Sequence, residues 1–218
     1  MRHDQIARLI KDGKYEEAIK ELMALIDNDP RDPIGYINLG NLLIHVKDYE
    51  RAKYILQEAI DLDPKAATAY YGLGNLAYEQ QQYTIAKENF QKAIELGLDH
   101  ADVYYMLGMS LVNLETDFLA IPYLQRAVEL ADQDVDIIFQ YGLTLAKCEY
   151  LSDAKEVFIK VLGLKQDHSD AHYNLGVIAL YDDEFEDAFN HFNMALQIQP
   201  DHLLAAHGKK RVEQHLAK

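Results

Sequence analysis

The sequence has little cysteine, few basic residues and no long apolar run. Its single cysteine, Cys148, can form neither an internal disulfide nor a cysteine-based zinc site, which fits a reducing compartment. We expect a half-buried structural thiol there. No stretch approaches the ~18 uninterrupted apolar residues of a membrane-spanning helix. Charges also interrupt every apolar window near the N-terminus, where a signal peptide would lie. These absences predict a cytoplasmic protein.

Basic residues are scarce relative to acids, with 21 Lys and Arg against 36 Asp and Glu and a formal net charge of -15. A surface of that sign repels phosphate backbones and anionic lipid headgroups. We therefore expect neither nucleic acid nor a membrane as a partner. At 218 residues and 49% hydrophobic composition, the chain is long enough to bury a large core.

Catalytic motifs are also absent, since the sequence has no Walker motif, no His-Glu-x-x-His and no nucleophile elbow. Its many carboxylates single out no acid and base pair, so we expect no catalytic residue and no enzyme activity. His168 and His172 are spaced to share a helix face if both lie within the helix. Because no cysteine or third ligand accompanies them, we expect no metal site and no cofactor.

A fixed period of 34 residues organises the chain. A glycine and an alanine each recur at this interval, with the alanine twelve residues after the glycine in the full repeats. The alanine series runs from Ala18 to Ala188, and neither series contains an insertion or deletion. Chance does not produce two such ladders, so the period indicates tandem structural repeats. The glycine ladder consists of Gly40, Gly74, Gly108, Gly142 and Gly176.

Each repeat is predicted to contain two helices. If a repeat begins seven residues before its glycine, its first half has apolar residues on one face of a helix, as at Tyr36, Leu39 and Leu43. The second half follows the same logic after a short polar turn. We expect one domain spanning 1–218, with a partial first repeat at 1–32 and a C-terminal capping helix at 203–218. The full repeats are 33–66, 67–100, 101–134, 135–168 and 169–202.

The order of aromatic residue, Leu-Gly, Ala, Phe or Leu, Ala and then Pro resembles the tetratricopeptide repeat along essentially the whole chain. The resemblance, which extends to small bacterial proteins made only of such repeats, implies an all-α fold, a right-handed α-solenoid superhelix of helix-turn-helix repeats. Small residues at Gly40 and Ala52 should let the paired helices approach closely. The ladder containing Ala59 should pack each second helix on the next repeat. Pro122, inside a second helix, predicts a kink, a delayed helix start or a weakened turn.

The resemblance also implies that the first helices line an inner groove in which proteins of this family bind peptides or helices. Aromatic and amide residues at these positions, in place of Lys and Glu, independently favour a binding surface. Packing of the aromatic residues on neighbouring helices is the alternative for each of them. The predicted peptide-binding residues are Asn38, Asn41, Tyr71, Gly72, Asn75, Tyr78, Tyr105, Met106, Met109, Phe139, Gln140, Tyr173 and Asn174.

Gly72 stands outside the glycine ladder, at an inner-groove position where other repeats carry Asn, Met or Gln. We expect it to leave a gap between Tyr71 and Asn75 that a partner occupies. A larger side chain there should improve helix propensity by under ~1 kcal/mol while weakening binding.

The carboxylate clamp found in co-chaperones of this family needs Lys, Asn and basic residues where Ile37, Gly72 and Asp102 stand, so the clamp is absent. Acids at the start of the first helices favour an extended neutral-to-basic partner segment instead. We therefore expect a protein–protein interaction adaptor or scaffold. The alternative is a structural protein that self-associates through its repeat ends or its aromatic groove.

Overall fold

Thirteen α-helices and no strand make up the part of the protein that the structure, a computed structural model, describes: the backbone of residues 2–216 and the side chains of residues 4–216. Residues 1, 217 and 218 of the predicted terminal segments lie outside the described residues. None of the described helices is both long and apolar enough to cross a membrane. The helices are α1 (Arg2–Lys11), α2 (Tyr15–Asn28), α3 (Pro33–His45), α4 (Tyr49–Leu62), α5 (Ala67–Glu79), α6 (Tyr83–Glu95), α7 (Ala101–Asn113), α8 (Asp117–Leu130), α9 (Val135–Lys147), α10 (Leu151–Leu164), α11 (Ser169–Tyr181), α12 (Phe185–Ile198) and α13 (Leu203–Leu216).

The first helix of every full repeat begins at the residue where the repeat is predicted to begin. Side-chain caps explain two of these starts. The Asp32 carboxylate accepts a hydrogen bond from the Ile34 amide at 3.0 Å, and Asp134 accepts from the Asp136 amide at 3.0 Å. A carboxylate at a helix N-terminus satisfies free amides and complements the helix dipole. The first residues of these helices are Pro33, Ala67, Ala101, Val135 and Ser169.

Residue contacts divide the chain into two compact units, Met1–Glu115 (unit 1) and Thr116–Lys218 (unit 2). Helices α1 to α7 belong to unit 1, and helices α8 to α13 belong to unit 2. In each unit, helices that follow one another along the chain pack together in pairs, as α3 packs with α4 and α11 with α12. The single domain remains a prediction.

The ladder glycines make room for a large side chain on the second helix of the same repeat. A Cβ atom on Gly40 would lie 2.5 Å from Leu56 Cγ, and one on Gly74 would lie 2.5 Å from Phe90 Cε1. In unit 2, a Cβ atom on Gly176 would lie 2.8 Å from the Phe192 ring. Both phenylalanine rings and Leu56 are fully buried. The predicted close approach of the paired helices is therefore confirmed.

The second alanine ladder joins each repeat to the next. In unit 1, Ala59 of α4 lies in one buried cluster with Ala69 of α5. In unit 2, Ala195 of α12 lies in one buried cluster with Ala205 of α13. All four alanines are fully buried. The predicted packing of second helices on the following repeat is confirmed at these junctions.

The turn inside each repeat places one residue in the left-handed backbone region. Only Gly13 is a glycine, whereas the equivalent residues of the later repeats are polar, with φ from 57° to 65°. The left-handed conformation is uncommon for any residue other than glycine, and it is least favourable for β-branched residues, none of which stands at these five places. The later residues are Lys47, Gln81, Glu115, Glu149 and Asp183.

Pro122 lies inside α8, yet it does not delay the helix. Helix α8 begins at Asp117, the position in the repeat at which α4 begins at Tyr49 and α10 at Leu151. The predicted delayed start is wrong, because the residues before Pro122 form the first turn of the helix, whose amides have no helical carbonyl partner, and Pro122 therefore removes only one backbone donor. The bond lost is the one that the Phe118 carbonyl would accept. A kink or a weakened turn remains a prediction.

Two glycines of one repeat provide a matched test of the glycine contact. Gly142→Ala would place a Cβ atom 2.9 Å from the buried Phe158 ring and 3.0 Å from Val157. Gly163, within α10, has nothing within 4 Å of its Cβ position. We expect Gly142→Ala to lower the free energy of unfolding by about 1–3 kcal/mol. Gly163→Ala should raise it by up to ~1 kcal/mol.

Urea denaturation followed by circular dichroism measures both changes. Equal effects of the two substitutions would contradict the close contact between Gly142 and Phe158.

Candidate functional site

Two adjoining cavities lie along the first helices of unit 1, and together they form what we call the unit 1 groove. The first, the α1 cavity, has a volume of about 500 Å³. The second, the α5 cavity, has a volume of about 310 Å³. The α1 cavity is lined by Ile6, Ala7, Ile10, Leu22, Asn38, Asn41, Leu42 and His45. The α5 cavity is lined by Asn41, Ile44, His45, Lys47, Asn75, Glu79 and Met106.

His45 forms a wall shared by both cavities, and its ring is held in place. The His45 Nε2 atom lies 2.9 Å from the Tyr15 hydroxyl. The two rings also meet edge to face, with centroids 4.9 Å apart. A hydrogen bond together with an aromatic contact restricts the rotation of the imidazole. The wall between the two cavities is therefore preorganised.

Four of the predicted binding residues line the unit 1 groove: Asn38, Asn41, Asn75 and Met106. The Asn38 and Asn41 side chains are exposed and make no hydrogen bond to the part of the chain that the structure describes. Each amide can therefore both donate to and accept from a ligand backbone. Asn41 is the only predicted residue that lines both cavities.

The predicted tyrosines of α5 are half-buried and packed within unit 1. The Tyr71 ring lies 5.8 Å from the Phe90 ring, and burial raises the pKa of its hydroxyl, while a hydrogen bond with Asn75 opposes the rise. The Tyr78 hydroxyl accepts a hydrogen bond from Asn113 Nδ2 at 3.1 Å, and burial raises its pKa as well. Packing on neighbouring side chains therefore accounts for much of the surface of Tyr71 and Tyr78.

Tyr105 and Met109, the remaining predicted members in unit 1, are half-buried on α7. Neither lines the α1 cavity or the α5 cavity. Their role in binding stays a prediction.

The expected gap at Gly72 is wrong, since Gly72 is buried against its neighbours. A Cβ atom there would lie 2.9 Å from Asn41 Oδ1 and 2.9 Å from Leu56 Cδ2. Gly208 of α13 occupies the same place in its repeat, and a Cβ atom there would lie 2.7 Å from the Phe192 ring. Both glycines therefore admit the large side chain of the preceding repeat, and a larger residue at Gly72 would clash rather than fill a notch.

The predicted aromatic residues of unit 2, Phe139 and Tyr173, pack in a tilted arrangement on other rings of the same unit. The Phe139 ring lies 5.6 Å from the Phe158 ring and 4.5 Å from the His168 ring. Likewise, the Tyr173 ring lies 5.9 Å from the Phe192 ring. These are the distances of tilted aromatic pairs that stabilise a core. The structure thus assigns Phe139 and Tyr173 a packing role, and binding by them stays a prediction.

The predicted amides of unit 2 are half-buried. Asn174 Nδ2 donates a hydrogen bond to the Asp170 carbonyl at 2.7 Å, so part of its donor capacity serves its own helix. The backbone carbonyl of Gln140 accepts a hydrogen bond from Thr144 Oγ1 at 2.9 Å. This bond does not involve the side-chain amide of Gln140. Unit 2 therefore offers fewer free amides at these positions than unit 1.

Histidines cap two helices of unit 2 through their ring nitrogens. His168 Nδ1 accepts a hydrogen bond from the Ala171 amide at 3.2 Å, so His168 precedes α11 rather than lying within it. His202 Nδ1 accepts from the Ala205 amide at 3.2 Å, at the start of α13. An accepting Nδ1 carries no proton. The condition for a shared helix face of His168 and His172 is therefore not met.

A histidine pair, in which His172 is buried and His191 is half-buried, joins α11 and α12. His172 Nδ1 lies 3.2 Å from His191 Nδ1, so one nitrogen donates and the other accepts. Burial lowers the pKa of both imidazoles. Across residues 4–216, no group of three His, Cys, Asp or Glu side chains is placed to hold a metal ion. Cys148 is half-buried as predicted, and burial raises the pKa of its thiol.

Sequence reasoning missed the contribution of the partial first repeat to the groove. Ala7, Ile10 and His45 occupy the ninth, twelfth and thirteenth places of their repeats. The family resemblance implies that these places line the inner groove, together with the second, fifth and sixth places. Ile6 and Leu22, which complete the apolar lining, are core residues on their helices. Applying the inner-groove positions to the partial repeat, in place of treating it only as a cap, would have found Ala7 and Ile10.

The repeats match a known family of helical repeat proteins. Models of the tetratricopeptide repeat match residues 4–67, 37–84 and 71–135, and another tetratricopeptide repeat model matches residues 169–202. Together these segments cover more than half of the chain. The chain therefore belongs to the tetratricopeptide repeat family, and its all-α fold is a helical solenoid. This fold supports a general role in protein–protein interaction, and members of the family are typically not enzymes.

Solved structures resemble the chain at several levels of identity. YrrB, a TPR protein with an unusual peptide-binding site, is 44% identical over 87% of this chain and 97% of that chain, with a TM-score of 0.82. MamA is 22% identical over 78% and 93%, with a TM-score of 0.72. PilF of Pseudomonas aeruginosa is 15% identical over 96% of both chains, with a TM-score of 0.80. The last two show the fold alone. A search of curated proteins finds no match.

The pair of His172 and His191 predicts that acid destabilises unit 2. Because burial lowers the folded-state pKa of His172 and His191 below the ordinary ~6.5, the unfolded chain binds more protons as the pH falls past that value. The pair's stabilisation is therefore complete above about pH 6.5 and is lost as the pH falls through the lowered folded-state values. Urea unfolding between about pH 7 and pH 5 measures this slope.

His191→Gln should reduce the slope, whereas His207→Gln, on the exposed part of α13, should preserve it. Relief of charge repulsion in an acidic chain acts in the opposite direction and is common to all three proteins. An unchanged slope in His191→Gln would contradict the role of the pair.

Proposed function

We propose that the protein is a non-catalytic cytoplasmic adaptor or scaffold that binds an extended segment of another protein in the unit 1 groove. One observation carries the proposal: Asn38 and Asn41 present exposed amides, without hydrogen bonds to the described chain, at the edge of two adjoining cavities. Such amides suit sequence-tolerant recognition of a peptide backbone, since each can pair with an N–H and a C=O group. Cavities with a few converging polar groups are the usual form of a ligand site.

The likeness to YrrB supports a peptide ligand. YrrB has a peptide-binding site, and it shares 44% identity with this chain over most of both lengths. In the present protein, the unit 1 groove combines an apolar lining with asparagine amides, as peptide recognition requires.

Charge and shape favour a neutral-to-basic partner segment. Glu79 lines the α5 cavity, and the negative charge of Asp102 acts on the nearby Tyr71 hydroxyl, where it helps to raise the pKa. The positions of the co-chaperone carboxylate clamp carry Ile37 and Gly72 in place of Lys and Asn. Lys47 also lines the α5 cavity, beside Glu79. An acidic peptide terminus would therefore meet this lysine without the rest of the clamp, and it would also meet carboxylates.

Self-association is a second candidate function, because the end of unit 2 exposes large apolar side chains. Leu203 and Leu204 at the start of α13 are 82% and 61% exposed. Apolar side chains that adjoin on a surface often mark contacts between proteins. Sedimentation equilibrium should then show concentration-dependent association that Leu203→Ser weakens. A monomer at every concentration would reject this function.

The asparagines provide the main test of peptide binding. Dodecapeptides selected from a random displayed library against the full chain serve as the probe, and calorimetric titration measures their affinity. Each hydrogen bond contributes about 0.5–1.5 kcal/mol, so Asn38→Ala with Asn41→Ala should weaken binding by about tenfold. Thermal unfolding should be unchanged because both side chains are exposed.

Gln57→Ala is the matched control, since Gln57 is an exposed amide on α4 that bonds only Asp61 at 3.0 Å. It should leave the affinity unchanged. Selected peptides that bind the asparagine double variant as tightly as the original chain would refute the proposed site.

A further inference from the structure

We infer that the α1 cavity binds one large apolar side chain of the partner, such as leucine, isoleucine, methionine or phenylalanine, while the partner backbone passes over Asn41. This inference rests on the proposed function and names the kind of segment that the unit 1 groove selects.

The chemistry of the lining excludes a charged occupant. Ile6, Ile10 and Leu42 form the apolar part of the cavity together with the buried side chain of Leu22. Among the side chains that the structure describes, residues 4–216, the lining contains no carboxylate, ammonium or guanidinium group, although the chain as a whole carries a formal net charge of -15. A charged side chain would lose its hydration there and gain no ionic partner. An apolar side chain would gain the free energy of leaving water.

Ala7 lines the α1 cavity with only a methyl group. Ala7 occupies the ninth place of its repeat, where the later repeats carry Asn41, Asn75, Met109, Leu143 and Val177. Every one of those side chains is larger than a methyl group and would extend into the space beside α3. The partial first repeat therefore contributes a methyl group to the α1 cavity, where the next repeat contributes the Asn41 amide to the α5 cavity. Ala7 is exposed, so its substitution does not disturb the core.

The α5 cavity is lined in part by charged side chains, so the two cavities favour different residues at different places along the bound segment. The two cavities share Asn41 and His45, so one continuous chain can occupy both. Lys47 and Glu79 line the α5 cavity and suit a polar side chain. The expected ligand therefore has an apolar anchor for the α1 cavity, backbone contact at Asn41, and a polar residue for the α5 cavity.

The test uses the dodecapeptides selected from a random displayed library against the full chain. The selected peptides should share one large apolar position, and replacing that residue by alanine should weaken binding at least about tenfold, with aspartate weaker still. Ala7→Leu, which fills the α1 cavity, should reduce affinity at least about tenfold. Ala7→Ser, which keeps the cavity open, should change it less than about twofold.

A second readout is independent of any peptide. N-acetyl-leucinamide, added to the protein with labelled methyl groups, should shift the Ile6, Ile10 and Leu42 methyl resonances, and N-acetyl-aspartamide should leave them in place. Failure of the leucine compound to shift them would overturn the inference.

The outcomes separate this inference from the proposed function. Peptides that depend on Asn41 yet share no apolar position, and bind Ala7→Leu normally, overturn the apolar anchor while the proposed function stands. Selected peptides whose binding is independent of Asn38 and Asn41 overturn the proposed function itself.

Discussion

The contact of a glycine with a large side chain of the paired helix is the constraint on which each repeat depends. Gly74 has no Cβ atom because the Phe90 ring occupies that space, and Gly176 makes the same accommodation for Phe192. Gly208 meets the Phe192 ring from the next helix. One buried ring is therefore enclosed by glycines from two helices, which links packing within a repeat to packing between repeats. With the helices held at these distances, the remaining faces of the first helices are free to define a groove.

The groove follows from this packing and from one irregular repeat. Regular repeats place asparagines at Asn38, Asn41 and Asn75 along the inner faces of α3 and α5. Helix α1 departs from the pattern, with Ile6 where later repeats have glycine. An isoleucine there contributes apolar surface to the α1 cavity instead of permitting a close helix contact. The unit 1 groove thus combines repeated polar groups with an apolar site that occurs in the partial repeat.

The sequence predicted the helices well because a repeat period without insertions fixes the place of every residue within its repeat. Once the glycine ladder is aligned, Pro33 and Ala67 mark helix starts without any need for distances.

The site was predicted less well, since it depends on which side chains fill which spaces. Gly72 is recognised as a contact with Leu56 only when the Cβ distance is known, and that distance joins different helices. Tyr71 and Phe139 similarly look exposed on a helical wheel, but they pack on rings from their paired helices. His45 lies at an inner-groove position, but its pairing with Tyr15 is a tertiary contact that no local pattern encodes.

The left-handed turn residues have a consequence for how such a chain can vary over evolutionary time. Lys47, Gln81 and Asp183 differ in size and charge, yet they adopt nearly the same backbone conformation at the equivalent place. The conformation excludes β-branched residues and accepts almost any polar one, so it restricts substitution through backbone shape and leaves charge unrestricted. These turns can therefore accumulate changes in surface charge while the helices on either side keep their register.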